Sequence, residues 1–346
     1  MNIFFKIALQ RYRNQKKNKF LQRKTFYKHQ YAIIGTGNHS ITNIYPCLWF
    51  LGVPIKTICS GKKKNAVLAS QRWTDCTGTD SIEDIINDEF IKGVFVATLP
   101  HLQAGITARL LNAGKNVFVE KPVGYSLVEL QKVIACEKHD SICQIGLQRR
   151  FAPLTKKLQK AIRQPISYDY HFLIGAYPEG DVLYDVFIHP IDFAISLFGS
   201  AAIVHAEKVE EKGTITYHLL LHHQNVRGSI KLSTSYSWQS PTDELVVNTA
   251  SDILKANYPY WLISQSKPKT FLSMPLEKVL PKPLEKTILM NPSFLPVAEN
   301  NSLNIMGFYP QLEHFVKVVE KGKTDSTCSL KSFLPTYTVL ETLKNL

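Results

Sequence analysis

The chain has 346 residues, 45% hydrophobic and 20% charged, a balance that suits a globular protein split into two domains and excludes a disordered chain. No stretch approaches the ~18 to 20 uninterrupted apolar residues of a membrane span. The net charge of +13 is concentrated in residues 1–30, which hold nine Lys and Arg and no acid and leave +4 for the rest, so no nucleic-acid partner is expected of the main body. Cys47, Cys59, Cys76, Cys136, Cys143 and Cys328 lie far apart, with no Cys-x-x-Cys pair and no metal-like spacing to histidine. Reduced thiols in a cytoplasmic protein without a metal site are the expectation.

In chain order, residues 1–30 form a basic arm, with an apolar stripe at Phe4, Phe5, Ala8, Leu9 and Tyr12. It reads as an extra helix packed on the body or a partly disordered tail; the alternative is weak contact with an anionic membrane surface or a polyanion. Tyr31–Ile34 reads as a buried strand, Ser40–Leu51 as a helix kinked at Pro46, Pro54–Cys59 as a strand and Lys63–Trp73 as a helix. Ser81–Asn87 carries a capping-box-like start, Ser81 to Asp84. Strand Val94–Thr98, helix His101–Asn112 ended by Gly114, and strand Asn116–Val119 follow; Ser126 and Glu129 then open a helix with a full capping box. This alternation predicts an α/β Rossmann-type domain with a doubly wound parallel sheet over residues 31–150.

Beyond residue 150 the rhythm changes. Ser167–Leu173, Ile203–Val209, Thr214–His222 and Arg227–Tyr236 read as strands, several alternating in period two, and Ser264–Pro296 reads as a Pro- and Lys-rich loop excursion. Helices around Pro310–Lys321 and Ser329–Asn345 close the chain. Residues 151–346 are thus expected to form an α+β domain with a largely antiparallel open sheet, serving substrate binding and oligomerisation.

Gly35-Thr36-Gly37-Asn38-His39-Ser40 follows the first strand directly and opens the first helix. The first glycine permits the tight turn, the second lets the backbone approach a pyrophosphate, and the helix N-terminus supplies free N–H groups. Ser40 stands where a third Gly or Ala is usual. The end of the second strand carries Ser60, Gly61, Lys62, Lys63 and Lys64 in place of the acid that accepts from an adenosine ribose. A hydroxyl and several ammonium groups suit a 2′-phosphate, so NADP(H) is expected in preference to NAD(H).

Four further runs carry a resemblance. They are Ala97-Thr98-Leu99-Pro100-His101, Ala113 through Val119-Glu120-Lys121-Pro122, Gln148-Arg149-Arg150-Phe151, and Leu183-Tyr184-Asp185-Val186-Phe187-Ile188-His189-Pro190-Ile191-Asp192. Together they resemble the glucose–fructose oxidoreductase/inositol dehydrogenase/MocA family over about residues 31–200. The resemblance implies a nicotinamide-dependent oxidoreductase that moves a hydride to or from a sugar, a polyol or a related hydroxy/oxo compound. It makes His189 the acid/base, Asp185 its orienting or substrate-binding partner, and Lys121 the cation beside the reacting oxygen. Thr98, Leu99, Pro100, His101, Glu120 and Lys121 are implied to join the glycine loop in holding the cofactor. A homo-oligomer formed through the open sheet face is implied as well.

The chemistry agrees with these roles: hydride transfer must be matched by proton transfer at the adjacent oxygen, and histidine is the first candidate near neutral pH. Asp185 and His189 are four apart, so on a helix they share a face. Phe187 stands where the family often has Gly. His218, His222, His223, Tyr236 and Trp238 either line the sheet face toward the cleft or pack. The alternatives to the dehydrogenase reading are a redox-neutral enzyme with a retained cofactor and a non-catalytic cofactor-sensing or scaffold protein on the same fold.

Overall fold

The computed structural model describes residues 3–21, 27–138, 141–267, 270–278, 285–290, 302–322 and 327–346. Six short strands, β1 (Gln30–Ile34), β2 (Ile55–Cys59), β3 (Thr77–Thr79), β4 (Ile91–Val96), β5 (Asn116–Glu120) and β6 (Cys143–Gly146), form one sheet in the order β3-β2-β1-β4-β5-β6, every pair parallel. This is the doubly wound Rossmann order, with the strand sequence reversing between β1 and β4. β3, three residues with a glycine at its centre, and β6, four residues ending in glycine, are too short to show a period in the chain.

The second sheet contains β7 (Pro165–Leu173), β8 (Ala201–Glu211), β9 (Thr214–His223), β10 (Arg227–Ser233), β11 (Thr242–Thr249), β12 (Asp252–Asn257) and β13 (Trp261–Ser266). The two-residue strands β14 (Thr270–Phe271) and β15 (Met274–Pro275) pair with each other, and β16 (Glu285–Met290) closes the large sheet. The order is β16-β13-β12-β11-β7-β10-β9-β8, antiparallel except where β7 meets β10. The expected loop over Ser264–Pro296 is corrected here, because β16 returns antiparallel to β13. Ile288 and Leu289 pack on the core, an apolar pair hidden in Pro- and Lys-rich composition. Residues 268–269, 279–284 and 291–296 of that stretch lie outside the described residues, as do 1–2 and 22–26 of the arm.

Two helix starts also differ from expectation. Ser40–Ile44 winds as a π-helix that passes into the α-helix Tyr45–Leu51, so Pro46 sits at that helix's start. The wider π-turn, with the Tyr45 N–H donating to the Ser40 carbonyl, accommodates the proline within the continuous helix. The helix Glu83–Ile86 is not capped by Ser81: Thr79 Oγ1 donates to Asp84 at 2.5 Å and accepts from the Ser81 N–H. At Ser126 the hydroxyl accepts from the Glu129 N–H at 3.1 Å as expected, while the return bond of the box is shifted by one residue, Glu129 Oε2 accepting from the Tyr125 N–H at 2.6 Å.

The chain returns to its first sheet near its end. The helix Phe308–Lys321 lays Phe315 against Phe95 (ring centroids 5.2 Å) and Phe118 (6.0 Å). Two buried ion pairs tie the junction after β6: Arg149 to Asp243 at 2.7 Å, and Arg150 to Asp192 at 2.5 and 2.9 Å. Among the described residues no helix is long and apolar enough to cross a membrane, and no His/Cys/Asp/Glu group is placed to hold a metal.

Candidate active site

Open α/β sheets bind ligands beyond the carboxyl ends of their strands, where the strand order reverses. In this chain a cleft of about 380 Å³ lies there, lined by His39 after β1, by Ala97, Thr98, Pro100 and Gln103 after β4, and by Glu120 and Lys121 after β5. Tyr125, Tyr177, Glu179, Gly180 and Asp185 form the opposite wall.

The glycine loop has the form its sequence predicts. Gly35 holds φ +117°, and a Cβ there would stand 2.0 Å from the Ala97 carbonyl oxygen, so only glycine fits. Ser40 is compatible with close helix–strand packing: it is buried and its hydroxyl donates to the Ala97 carbonyl at 2.9 Å. A Cβ on Gly37 or Gly61 would meet nothing within 4 Å, which leaves both turns open for a ligand. Thr36 and Ser60 hydroxyls meet at 2.7 Å, joining the glycine loop to the end of β2. Lys62, Lys63 and Lys64 are exposed around the start of the helix Lys63–Ser70, with no acidic partner among the described residues. Thr98 and Leu99 precede the helix Pro100–Asn112, with Leu99 at its N-cap and His101 exposed in its first turn. These residues fit a dinucleotide: two open turns, a helix N-terminus and unpaired cations at the adenosine end.

Around the reacting position the side chains are more constrained. Glu120 is buried, with Oε2 3.6 Å from His39 Nε2 and Oε1 without a partner. Gln103 donates to the Pro122 carbonyl at 3.1 Å while its own Oε1 is unpartnered. A buried acceptor left unpaired is costly, so both oxygens mark places where a ligand donor fits. Lys121 donates to the Asp185 backbone carbonyl at 2.5 Å. Burial pushes its pKa down, and the Glu120 and Asp185 charges oppose that shift.

Leu183–Phe187, which carries Asp185, winds as a π-helix before the α-helix Ile188–Phe198. The α-helical i,i+4 geometry therefore does not apply across it, and no hydrogen bond joins Asp185 to His189 among the described residues. Asp185 accepts instead from the Tyr177 hydroxyl at 3.5 Å, and a Cβ on Gly180 would stand 2.3 Å from its Oδ2. Burial raises the Asp185 pKa against the pull of Lys121. His189 is half-buried, near enough to Lys121 to feel its charge, and is not among the residues lining the cleft. Burial, then the positive charges of Lys121, Arg149 and His39, hold it well below the usual imidazole range. Phe187 is fully buried, its ring edge-on to Phe172 and Tyr217, so its bulk enters the core.

Tyr125, Tyr177, Glu179 and Gln103 were not legible as site residues in the sequence. The segment from Ile174 to Asp181 flanks the Asp185 motif, and its Tyr-Pro-Glu-Gly-Asp run was the available signal. Of the later aromatic and histidine positions, His223 packs: it bonds to the Tyr168 hydroxyl at 2.8 Å and the Gly199 carbonyl at 2.7 Å.

Comparison with known proteins agrees with this fold. Residues 29–147 match the GFO_IDH_MocA family model, an oxidoreductase family with an NAD-binding Rossmann fold. The uncharacterized oxidoreductase YrbE of Bacillus subtilis is 29% identical over 135 residues, 35% of this chain and 40% of its own length. Inositol 2-dehydrogenase of Salmonella typhimurium is 27% identical over 153 residues, 41% of this chain and 46% of its own. The chain thus spans less than half the length of these curated relatives. A dehydrogenase from Chromobacterium violaceum shares the fold with a TM-score of 0.78 at 16% identity, covering 92% of this chain and 95% of that one. KijD10, a 3-ketoreductase from Actinomadura kijaniata solved with NADP and TDP-benzene, gives 0.71 at 15% identity, covering 92% and 97%. Residues 29–147 thus match the NAD-binding Rossmann domain of the glucose–fructose oxidoreductase/inositol dehydrogenase/MocA oxidoreductase family, and over the rest of the chain the likeness is one of fold.

Proposed function

We propose that the chain is an NADP(H)-preferring dehydrogenase or reductase acting on a sugar, a polyol or a related hydroxy/oxo compound. The observation that carries this reading is the cleft at the switch point, where Lys121 stands between the unpartnered Glu120 oxygen and Asp185, with His189 held neutral near it. When bound, the nicotinamide supplies or accepts the hydride. Lys121, positioned through the Asp185 carbonyl, polarises the substrate oxygen. His189, beside Lys121 but off the cleft lining, exchanges the hydroxyl proton through Lys121 or a water, taking it up during oxidation and returning it during reduction. Asp185 and Tyr177 orient substrate hydroxyls, and Glu120 accepts from a donor on the cofactor side.

Cofactor preference rests on Ser60, Lys62 and Lys63 and on the absence of an acid at the end of β2. In parallel titrations followed by nicotinamide fluorescence, NADPH is expected to bind about tenfold or more tightly than NADH, the scale of one charge-assisted contact. Lys62→Ala/Lys63→Ala should remove most of that difference. Equal binding of the two cofactors would sink the 2′-phosphate argument. If neither cofactor binds and none is already held, the scaffold reading takes first place.

The lowered pKa of His189 sets the pH dependence of alcohol oxidation. The neutral imidazole is the active form, so the rate is present above the folded pKa and is lost as pH falls through it. The acid limb should therefore lie below the ordinary value of about 6.5. A kcat/KM profile of His189→Asn is expected to be low and to lack that limb. An unchanged limb in the variant would assign it to another group.

A further inference from the structure

Residues 1–74 hold fourteen of the chain's 41 Lys and Arg and none of its 28 Asp and Glu, and the remainder carries 27 cations against 28 acids. The excess positive charge of the whole protein is therefore confined to the arm and the first βαβ unit. Some of it, Lys62 to Lys64, has a use at the proposed cofactor site; the described cations of the arm, Lys6, Arg11, Arg13, Lys17 and Lys28, are not among the residues lining the cleft.

The arm is a helix, Ile3–Leu21, and its described side chains are all exposed. Exposure reaches 73% at Ile3, 83% at Phe4 and 68% at Phe5, with Ile7 and Leu9 also in solvent. Large apolar residues clustered in this way on a soluble surface mark an interaction site. Their distribution is axial: Ile3, Phe4, Phe5, Ile7, Ala8 and Leu9 occupy the first two turns around Lys6, and Arg11, Arg13 and Lys17 follow. Ile3 to Leu9 spans about 9 Å of helix. That falls far short of the ~30 Å hydrocarbon core, so the segment reaches only the headgroup boundary.

A second observation lies on the body where the arm is anchored. The Tyr27 hydroxyl donates to the Leu51 carbonyl at 2.7 Å, and the Lys28 N–H donates to Glu320 at 2.7 Å. Beside that anchor Trp49 is 49%, Phe50 37% and Leu68 67% exposed, around a groove of about 460 Å³. The Arg72 guanidinium lies 4.3 Å over the Trp49 ring. Exposed Trp with a neighbouring cation is the composition of a membrane–water boundary.

We propose that this chain docks on an anionic lipid surface. Ile3–Leu9 enters the headgroup region, the arm's cations meet lipid phosphates, and the Trp49/Phe50/Leu68 edge faces the same surface. A soluble polyanion would satisfy the cations but leave Ile3, Ile7 and Leu9 in water, whereas a bilayer takes both.

The test is co-sedimentation of the full chain with vesicles of phosphatidylcholine alone and of an equal mixture with phosphatidylglycerol. Binding to the anionic vesicles should exceed the other about tenfold or more, since each basic residue near such a surface contributes about 1 kcal/mol. It should weaken with salt and blue-shift tryptophan emission. Phe4→Ser/Phe5→Ser, with circular dichroism and melting unchanged, should lose most of that binding and Trp49→Ala part of it. Equal sedimentation with both vesicles, none with either, or full retention in the Phe4/Phe5 variant would overturn the proposal. So would heparin binding without anionic-vesicle binding.

Discussion

Lys121→Ala is expected to slow hydride transfer by about 10²–10⁴-fold, the contribution of a positioned group that polarises an oxygen or relays its proton. The loss should appear in kcat more than in cofactor affinity. Lys121 is fixed by the Asp185 carbonyl inside the cleft, whereas on the proposed reading the glycine loop and Lys62/Lys63 would hold the other end of the dinucleotide. Lys121→Arg should recover little, because the guanidinium is larger and its planar fork differs from a point ammonium. Rapid-mixing measurement of the transfer step, with cofactor affinity measured separately, divides the two effects. Equal loss of affinity and rate would recast Lys121 as a binding residue.

Asp192→Ala is expected to destabilise the fold by about 3–5 kcal/mol, because it leaves a buried guanidinium without its counter-charge. The Arg150 and Asp192 side chains are 7% and 2% exposed, and the pair is bidentate. Asp192 also accepts from the Thr336 hydroxyl at 3.0 Å, so it ties the junction helix to the C-terminal helix as well. Against a total stability of ~5–15 kcal/mol, that loss is large. Urea unfolding should show a much lower midpoint for Asp192→Ala, while Arg150→Met/Asp192→Leu recovers much of it, since replacing both charges removes the unpaired cation. A single variant as stable as the parent would show that water reaches Arg150.

The N-terminal domain was readable because its signals are local. A glycine loop after an apolar strand, capping at Ser126 and alternating strands and helices all act within a few residues, and each was found where expected. β3 and β6 escaped because short edge strands take their order from neighbours. β16 escaped because composition masked Ile288 and Leu289. Within the site, the motifs located Lys121, Asp185 and His189, but not the π-helical turn that separates the last two. That turn depends on how Phe187 and Tyr184 fill the core, which spacing alone does not encode. The opposite wall, Tyr125, Tyr177 and Glu179, comes from loops held by bonds to residues distant in sequence, Tyr337 to the Gly124 carbonyl and Trp238 to the Ala176 carbonyl, so no periodic pattern announced it.

The central claim is that this cleft transfers a hydride. Its most direct test is incubation with NADPH deuterated at the transferred position and a panel of keto sugars and keto polyols, followed by mass spectrometry of the products. Deuterium on the new carbinol carbon with the parent protein, and its loss with Lys121→Ala, is the result predicted here. Tight NADPH binding without deuterium transfer to any carbonyl, or label transfer undiminished in Lys121→Ala, would contradict it.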